Sequence, residues 1–128
     1  MKTDKVTIKK SAIEGKGVFA TQNFKKGDVV LQWDVTHIIP KEKVDKMSNK
    51  DKKYISYMNK QFVIMQEPEK YVNHSCEPNT TAKNFCDIAL RDINEGEEIT
   101  GNYFEELPPD TRMKCHCKSK NCKKRIES

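Results

Sequence analysis

The most specific pattern in the chain is Asn73-His74-Ser75-Cys76, which is followed about forty residues later by Cys115-His116-Cys117-Lys118-Ser119-Lys120-Asn121-Cys122. The first segment joins a polar Asn-His pair to one thiol, and the second segment holds three closely spaced thiols. Four thiolates are the ligand set of one tetrahedral structural zinc. The two segments therefore predict a zinc site beside a polar pocket.

A fifth cysteine, Cys86, has a different setting. It lies in Phe85-Cys86-Asp87-Ile88-Ala89-Leu90, where the period of two of a strand places it with Ile88 and Leu90 on an apolar face. We therefore expect Cys86 in the core and not at the metal. His116, which stands between two clustered thiols, is an alternative ligand to the thiol of the first segment.

Length and composition predict a single, thinly cored domain. The 128 residues suffice for one core, and with 35% hydrophobic and 34% charged residues a metal cross-link would add considerable stability. We find neither a membrane-length apolar run nor a signal peptide. We expect a soluble, non-secreted protein of the cytoplasm, or of the nucleus in a eukaryotic or viral cell. Clustered thiols bind metal there instead of forming disulfides.

The C-terminal tail is strongly basic, in a chain of net charge +5. Its cations surround the clustered thiols and would stabilise their anionic form. They are Lys114, Lys118, Lys120, Lys123, Lys124 and Arg125. A nucleic-acid-binding patch is the alternative interpretation, but no aromatic residue is interleaved among these charges. We favour the local electrostatic role.

Short runs rich in Val, Ile, Phe and Thr, separated by Gly, Asn and Pro, predict a mainly β (α+β) protein. The predicted strands are Val6–Lys9, Gly17–Ala20, Val29–Trp33, Gln61–Met65, Asn79–Lys83, Cys86–Leu90 and Glu98–Thr100. Apolar residues near helical spacing predict two short helices, over Lys41–Met47 and Lys50–Met58.

Three further motifs accompany the Asn-His-Ser-Cys segment. They are Gly15-Lys16-Gly17-Val18-Phe19-Ala20, Phe24-Lys25-Lys26-Gly27-Asp28-Val29-Val30 and Gly96-Glu97-Glu98-Ile99-Thr100-Gly101-Asn102-Tyr103. The first matches a dinucleotide fingerprint in form, but strand and turn residues follow it where that motif needs a helix.

In this order the motifs resemble the SET-domain protein lysine methyltransferases. The resemblance implies the SET fold, a β-clip of short curled sheets with a threaded C-terminal segment and a small zinc-bound post-SET tail. We expect the SET domain at 1–107, with a variable insert at about 35–69, and the post-SET tail at 108–128.

The resemblance also implies a methyl donor, S-adenosylmethionine, and the residues that hold it. By similarity these cofactor-binding residues are Lys16, Gly17, Val18, Tyr71, Asn73, His74 and Tyr103. An ordinary Asx turn would explain an isolated Asn-His pair, but the flanking residues Tyr71 to Asn79 match the family at nearly every position.

Tyr103 matches the catalytic tyrosine of the family, which orients the lysine amine. Gly101 stands where the family commonly has an aromatic residue that limits how many methyl groups fit. We therefore predict that this chain adds more than one methyl group unless Phe104 or Phe85 fills the substrate channel beside Gly101. Acidic residues flank the tyrosine and suit a basic peptide. They are Glu97, Glu98, Glu105 and Glu106.

The zinc ligands implied by spacing and resemblance together are Cys76, Cys115, Cys117 and Cys122. The implied partner is a protein or peptide with a lysine, such as a histone tail or another basic protein. The implied reaction is methyl transfer to its ε-amine, with no role for a membrane. The alternative is a non-catalytic, zinc-stabilised module that binds peptides or nucleic acid on a SET scaffold.

Overall fold

A computed structural model describes residues 5–108, 111–114, 122 and 124–127. Most of the regular structure in these residues is β. The strands are β1 Val6–Lys10, β2 Lys16–Ala20, β3 Val29–Gln32, β4 Ile55–Met58, β5 Gln61–Ile64, β6 Asn73–His74, β7 Thr80–Lys83, β8 Cys86–Ala89, β9 Glu98–Gly101, β10 Arg112–Lys114 and β11 Arg125–Glu127. The helices are α1 Lys41–Asp45, α2 Asn49–Lys52 and α3 Tyr103–Glu106, with a 3-10 turn at Glu69–Tyr71. No helix in the described ranges is long and apolar enough to cross a membrane.

The strands form small separate sheets, as the family resemblance implied. One sheet has the order β1-β2-β9-β6, and another has the order β3-β8-β7. The hairpin β4-β5 and the pair β10-β11 are two-stranded. The mainly β prediction is confirmed, and each of the seven predicted strands matches an observed strand to within a residue or two.

The main core lies between the first two sheets. Val18 and Ile99 are register partners in β2 and β9, and both are fully buried. They pack with apolar side chains from both sheets. The buried members of this cluster are Val6, Val18, Ala20, Phe24, Val30, Leu31, Val72, Ala89, Ile93 and Ile99. Burial of these side chains anchors β2 and β9, the strands that border the site described below.

The prediction that Cys86, Ile88 and Leu90 form the buried face of β8 was wrong. Asp87 and Ala89 are buried, whereas Leu90 is 42% exposed and Cys86 is only half-buried. The Trp33 indole N–H donates to Asp87 Oδ2 at 3.0 Å and so compensates part of the cost of burying a carboxyl. A polar residue with a distant partner therefore faces inward, and the alternation of the strand is reversed.

The predicted helix Lys50–Met58 was also wrong in its second half. Only α2 is helical there, and β4 follows it as one arm of a hairpin. Asn59 and Lys60 connect β4 to β5 with positive φ angles of 51° and 64°, as in a type I′ turn, which suits the twist of a hairpin. Pairing with β5 therefore overrides the helical spacing of the apolar residues.

Replacing Asp87 with Asn should flatten the pH dependence of stability. Burial raises the pKa of the Asp87 carboxyl, and nearby Glu69 raises it further. The folded protein therefore binds more protons than the unfolded chain above about pH 4, and stability is lost as the pH rises through the raised pKa. Asparagine does not titrate, so it does not share this loss. From about pH 5 to about pH 8, we expect the free energy of unfolding of Asp87→Asn to rise relative to that of wild type by on the order of 1 kcal/mol.

Urea unfolding at both pH values measures this difference. The matched control is Asp45→Asn on the exposed side of α1, which should change stability equally at both pH values. An Asp87→Asn difference that does not vary with pH would contradict the account of Asp87.

Candidate active site

The site is organised by the parallel pairing of β6 with β9. In this register Asn73 lies beside Thr100 and His74 lies beside Gly101. Helix α3 begins at Tyr103, two residues after Gly101, with its first turn capped by the Asn102 side chain. Two motifs that are distant in sequence therefore meet at one edge of the sheet.

Asn73 ties the segment Gly15–Gly17, which we call the glycine turn, to this sheet. It is 5% exposed, and its side-chain Nδ2 lies 3.1 Å from Glu14 O, 3.0 Å from Lys16 O and 2.9 Å from Glu98 Oε2. These acceptors engage the amide N–H groups inside the protein. The Oδ1 atom takes no part in these bonds and is the side-chain atom suited to accept a bond from a ligand.

Glu98, which we expected to face a basic peptide, is half-buried and is hydrogen-bonded to groups of the protein itself. Its carboxylate accepts the Ser11 hydroxyl at 2.8 and 2.9 Å as well as the Asn73 amide. A Cβ added to Gly17 would overlap Glu98 Oε2. Gly17 is therefore required for close approach to this carboxylate. Ser11 belongs to no recognisable motif, and Glu98 lies 87 residues further along the chain. No local sequence pattern could therefore have predicted this contact.

His74 is buried, with 5% exposure, and bridges two groups. Its Nδ1 accepts the backbone N–H of Tyr103 at 3.0 Å, and its Nε2 lies 3.5 Å from Cys76 Sγ. Burial lowers the pKa of His74 to about 4, so the imidazole is neutral at pH 7. The ring lies between the tyrosine and the first thiol.

Tyr103 is 6% exposed, and its hydroxyl donates to the Val72 carbonyl at 2.6 Å. Its ring centroid is 5.4 Å from that of His74. The side chain is therefore held at both ends by the segment that carries the Asn-His pair. Because the hydroxyl proton is directed at Val72, the oxygen presents lone pairs to another donor.

Lys16 and Tyr71 lie next to each other at the glycine turn. The Lys16 ammonium is 5.4 Å from the Tyr71 ring centroid, and Lys70 is also 5.4 Å from it. Lys16 makes no ion pair within the described residues. Val18, which was also predicted to bind the cofactor, has a fully buried side chain, so only its backbone borders the glycine turn.

The residues predicted to line the substrate channel lie near His74. Gly101 is buried and is the register partner of His74, and the Phe104 ring centroid is 5.5 Å from that of His74. Phe85, the other aromatic candidate, packs edge-on against Trp33 at 6.4 Å. Phe104 is therefore the better candidate for shaping the space beside Gly101.

The two described thiols of the predicted zinc set lie at one apolar cluster. Cys76 and Cys122 are both half-buried against it. The buried members of this cluster are Tyr103, Leu107 and Ile126. Cys115 and Cys117 lie outside the described residues. The residues that the structure describes contain no group of three or more His, Cys, Asp or Glu side chains that could hold a metal. The set of four cysteine ligands therefore stays a prediction.

Each of the two described sulfurs has a nitrogen atom within hydrogen-bonding distance. His74 Nε2 lies 3.5 Å from Cys76 Sγ, and the backbone N–H of Lys124 donates to Cys122 Sγ at 3.4 Å. N–H groups aimed at sulfur stabilise its anionic, metal-binding form. The chemistry of these two thiols therefore fits zinc.

The acidic residues near the tyrosine divide into two groups. Glu97 bonds to Arg91 at 3.0 Å and Glu98 bonds to Ser11 and Asn73, so both have partners within the protein. Glu105, two residues after Tyr103, is exposed and accepts the Thr81 hydroxyl at 3.2 Å. Of these three carboxylates, Glu105 is the one presented to solvent near the site.

A family model described as SET domain matches residues 15–104, which include the glycine turn, Asn73-His74 and Tyr103. The chain belongs to the SET domain family. This SET domain resembles the crystal structure of a Plasmodium falciparum protein described as a candidate histone methyltransferase, with a TM-score of 0.65 and 22% identity over 79% of this chain and 94% of that one. The SET fold expected from the sequence is confirmed, and its zinc-bound post-SET tail stays a prediction.

Curated relatives are much longer than this SET domain. The variant-silencing SET domain-containing protein of Plasmodium falciparum is 31% identical over 90% of this chain and 5% of its own length. Histone-lysine N-methyltransferase 2D of Homo sapiens is 30% identical over 93% of this chain and 2% of its own length. The chain thus spans a small fraction of each of these relatives.

A Gly17→Ala substitution should destabilise this SET domain by about 1–3 kcal/mol, because the added methyl group would displace the Glu98 carboxylate from Ser11 and Asn73. Urea unfolding measures the loss. In a Glu98→Ala background the obstructing carboxylate is gone, so the same glycine substitution should cost much less. Equal costs in the two backgrounds would contradict the proposed overlap.

Proposed function

We propose that this SET domain is a protein-lysine N-methyltransferase that uses S-adenosylmethionine. The observation that carries the proposal is the double attachment of Tyr103, through its N–H to His74 and through its hydroxyl to Val72. This arrangement fixes a buried phenol oxygen beside the predicted donor-binding residues. Histones are the proposed substrate class, because the human relative is named a histone-lysine N-methyltransferase.

The donor would be held by the glycine turn and by β6. Lys16 offers an ammonium for its carboxylate, Asn73 offers Oδ1 for its ammonium, and His74 offers backbone groups for its adenine. The backbone of Gly17 and Val18 and the ring of Tyr71 would border it. Since Asn73 and Glu98 hold the turn in place, little ordering would accompany binding.

The donor supplies an electrophilic methyl group on a cationic sulfonium. The attacking lysine must be a neutral amine, yet a free lysine has a pKa near 10.4 and is mostly protonated at pH 7. A narrow apolar channel beside Phe104 would disfavour the ammonium form. The Tyr103 oxygen would then accept one amine N–H and direct the nitrogen lone pair at the methyl carbon, which is chiefly a positioning effect.

We further propose that Cys76, Cys115, Cys117 and Cys122 bind zinc and hold the tail at 108–128 against the domain at 1–107. The pairing of β10 with β11 supports this, since Lys114 and Arg125 are register partners at the two ends of the intervening segment. The tail would form one wall of the lysine channel. A basic peptide could lie there as an added strand, with Glu105 nearby.

Removing the Tyr103 hydroxyl tests the activity. In zinc-loaded protein, Tyr103→Phe should lower kcat for methyl transfer to histones by about 100-fold, because the amine is no longer oriented. Donor affinity should change little, since the ring and the His74 contact remain. Mass spectrometry of lysine methylation and calorimetry of donor binding measure the two effects.

The control for this experiment is Tyr57→Phe, which removes a hydroxyl from a tyrosine 36% exposed on β4 and should leave kcat unchanged. Wild-type transfer by Tyr103→Phe would contradict the role of the hydroxyl. A wild-type chain that neither binds the donor nor transfers methyl groups would instead favour the non-catalytic module.

Filling the space at Gly101 should change the product. Wild type is expected to add more than one methyl group to each lysine as long as Phe104 leaves the space beside Gly101 open, and Gly101→Phe should shift the products toward monomethyl-lysine because a bulky ring excludes a methylated amine. Gly101→Ala is the control and should keep the wild-type distribution. Mass spectrometry of a peptide substrate gives the distribution, and an unchanged one in active Gly101→Phe would contradict the prediction.

A further inference from the structure

The imidazole of His74 links the first zinc-site thiol to the tyrosine. Tyr103 N lies 3.0 Å from Nδ1, and Cys76 Sγ lies 3.5 Å from Nε2. With 5% exposure, the ring has little access to solvent. The two ring nitrogens therefore have protein partners on opposite sides.

The direction of these bonds follows from the donors present. A backbone N–H can only donate, so Nδ1 of His74 must accept from Tyr103 and cannot carry a proton. The single proton of the neutral ring then lies on Nε2, which makes Nε2 the donor to Cys76 sulfur. A thiolate accepts such a bond better than a thiol, and zinc-bound sulfur is a thiolate.

Packing reinforces this connection. The His74 ring contacts the rings of Tyr103 and Phe104, with centroids at 5.4 and 5.5 Å. Cys76, Cys122 and Phe104 pack against the cluster that contains Tyr103. Close-packed side chains transmit small displacements, so a change at Cys76 reaches Tyr103 through the His74 ring.

We propose that His74 is a positioning residue that couples the zinc site to Tyr103, through an Nε2–H bond to the Cys76 thiolate and an Nδ1 bond to the Tyr103 amide. Zinc loading would thereby fix the backbone from which the catalytic hydroxyl projects. Because coupling is reciprocal, the same bonds support zinc affinity. This inference rests on the proposed function for the role of Tyr103, but not for the contacts themselves.

Two substitutions separate the two bonds. An asparagine oxygen lies near the position of Nδ1 and can still accept from Tyr103, but its side chain is too short to reach Cys76. A glutamine amide reaches near the position of Nε2 and can still donate to Cys76, but it leaves the Tyr103 amide without its acceptor. The pair His74→Asn and His74→Gln therefore tests each bond in turn.

The readouts are zinc affinity, by competition with a chromophoric chelator, and the Tyr103 amide proton shift, by NMR of the zinc-loaded chain. We expect His74→Asn to lose about 10–100-fold in zinc affinity and His74→Gln to stay within about threefold of wild type. The Tyr103 amide proton should keep its downfield shift in His74→Asn and lose it in His74→Gln. Equal effects of both variants on both readouts would overturn the proposal.

A measurement on wild type needs no substitution. Nitrogen-15 NMR of the His74 ring should show a protonated Nε2 and an unprotonated Nδ1, and a proton on Nδ1 would overturn the proposal. Methyl transfer is assayed separately. A wild type that gives the expected NMR and zinc results but transfers no methyl group would support the coupling and overturn the proposed function alone.

Discussion

The parallel pairing of β6 with β9 is the constraint on which the site depends. A two-residue strand has little stability of its own, and buried side chains secure it. Asn79, 2% exposed, donates from Nδ2 to Glu98 O at 2.8 Å and accepts from Thr100 N at 2.8 Å. These bonds hold β9 against the turn that follows β6, and they bring His74 within reach of Tyr103. A slip in this pairing would separate the Asn-His pair from the tyrosine.

A second constraint acts on the other side of Asn73. Even partial burial of a carboxylate is costly unless hydrogen bonds replace the lost hydration. Glu98 meets that condition through Ser11 and Asn73, and the space it needs is the space that a side chain at position 17 would fill. The glycine turn is thus fixed from within before any ligand arrives. Such a preformed turn lowers the entropy that binding would cost.

Local pattern accounts for much of the fold, and long-range contacts account for the rest. Short runs of β-forming residues between turn residues identified β1, β2, β3, β5, β7, β8 and β9, and the motifs identified Asn73, His74 and Tyr103, which the structure brings together. Alternation failed for the inner face of β8, because the indole of Trp33, 54 residues away, makes Asp87 the buried residue. The hairpin arm β4 and the Ser11–Glu98 contact likewise depend on partners that no short window contains.

The most direct test of the account is a crystal structure of the zinc-loaded chain with S-adenosylhomocysteine and a lysine peptide. We predict the cofactor against Lys16, Asn73 and His74 and the lysine amine at the Tyr103 hydroxyl. We predict zinc on Cys76, Cys115, Cys117 and Cys122. A cofactor bound away from the glycine turn, or a lysine that does not reach Tyr103, would contradict the account.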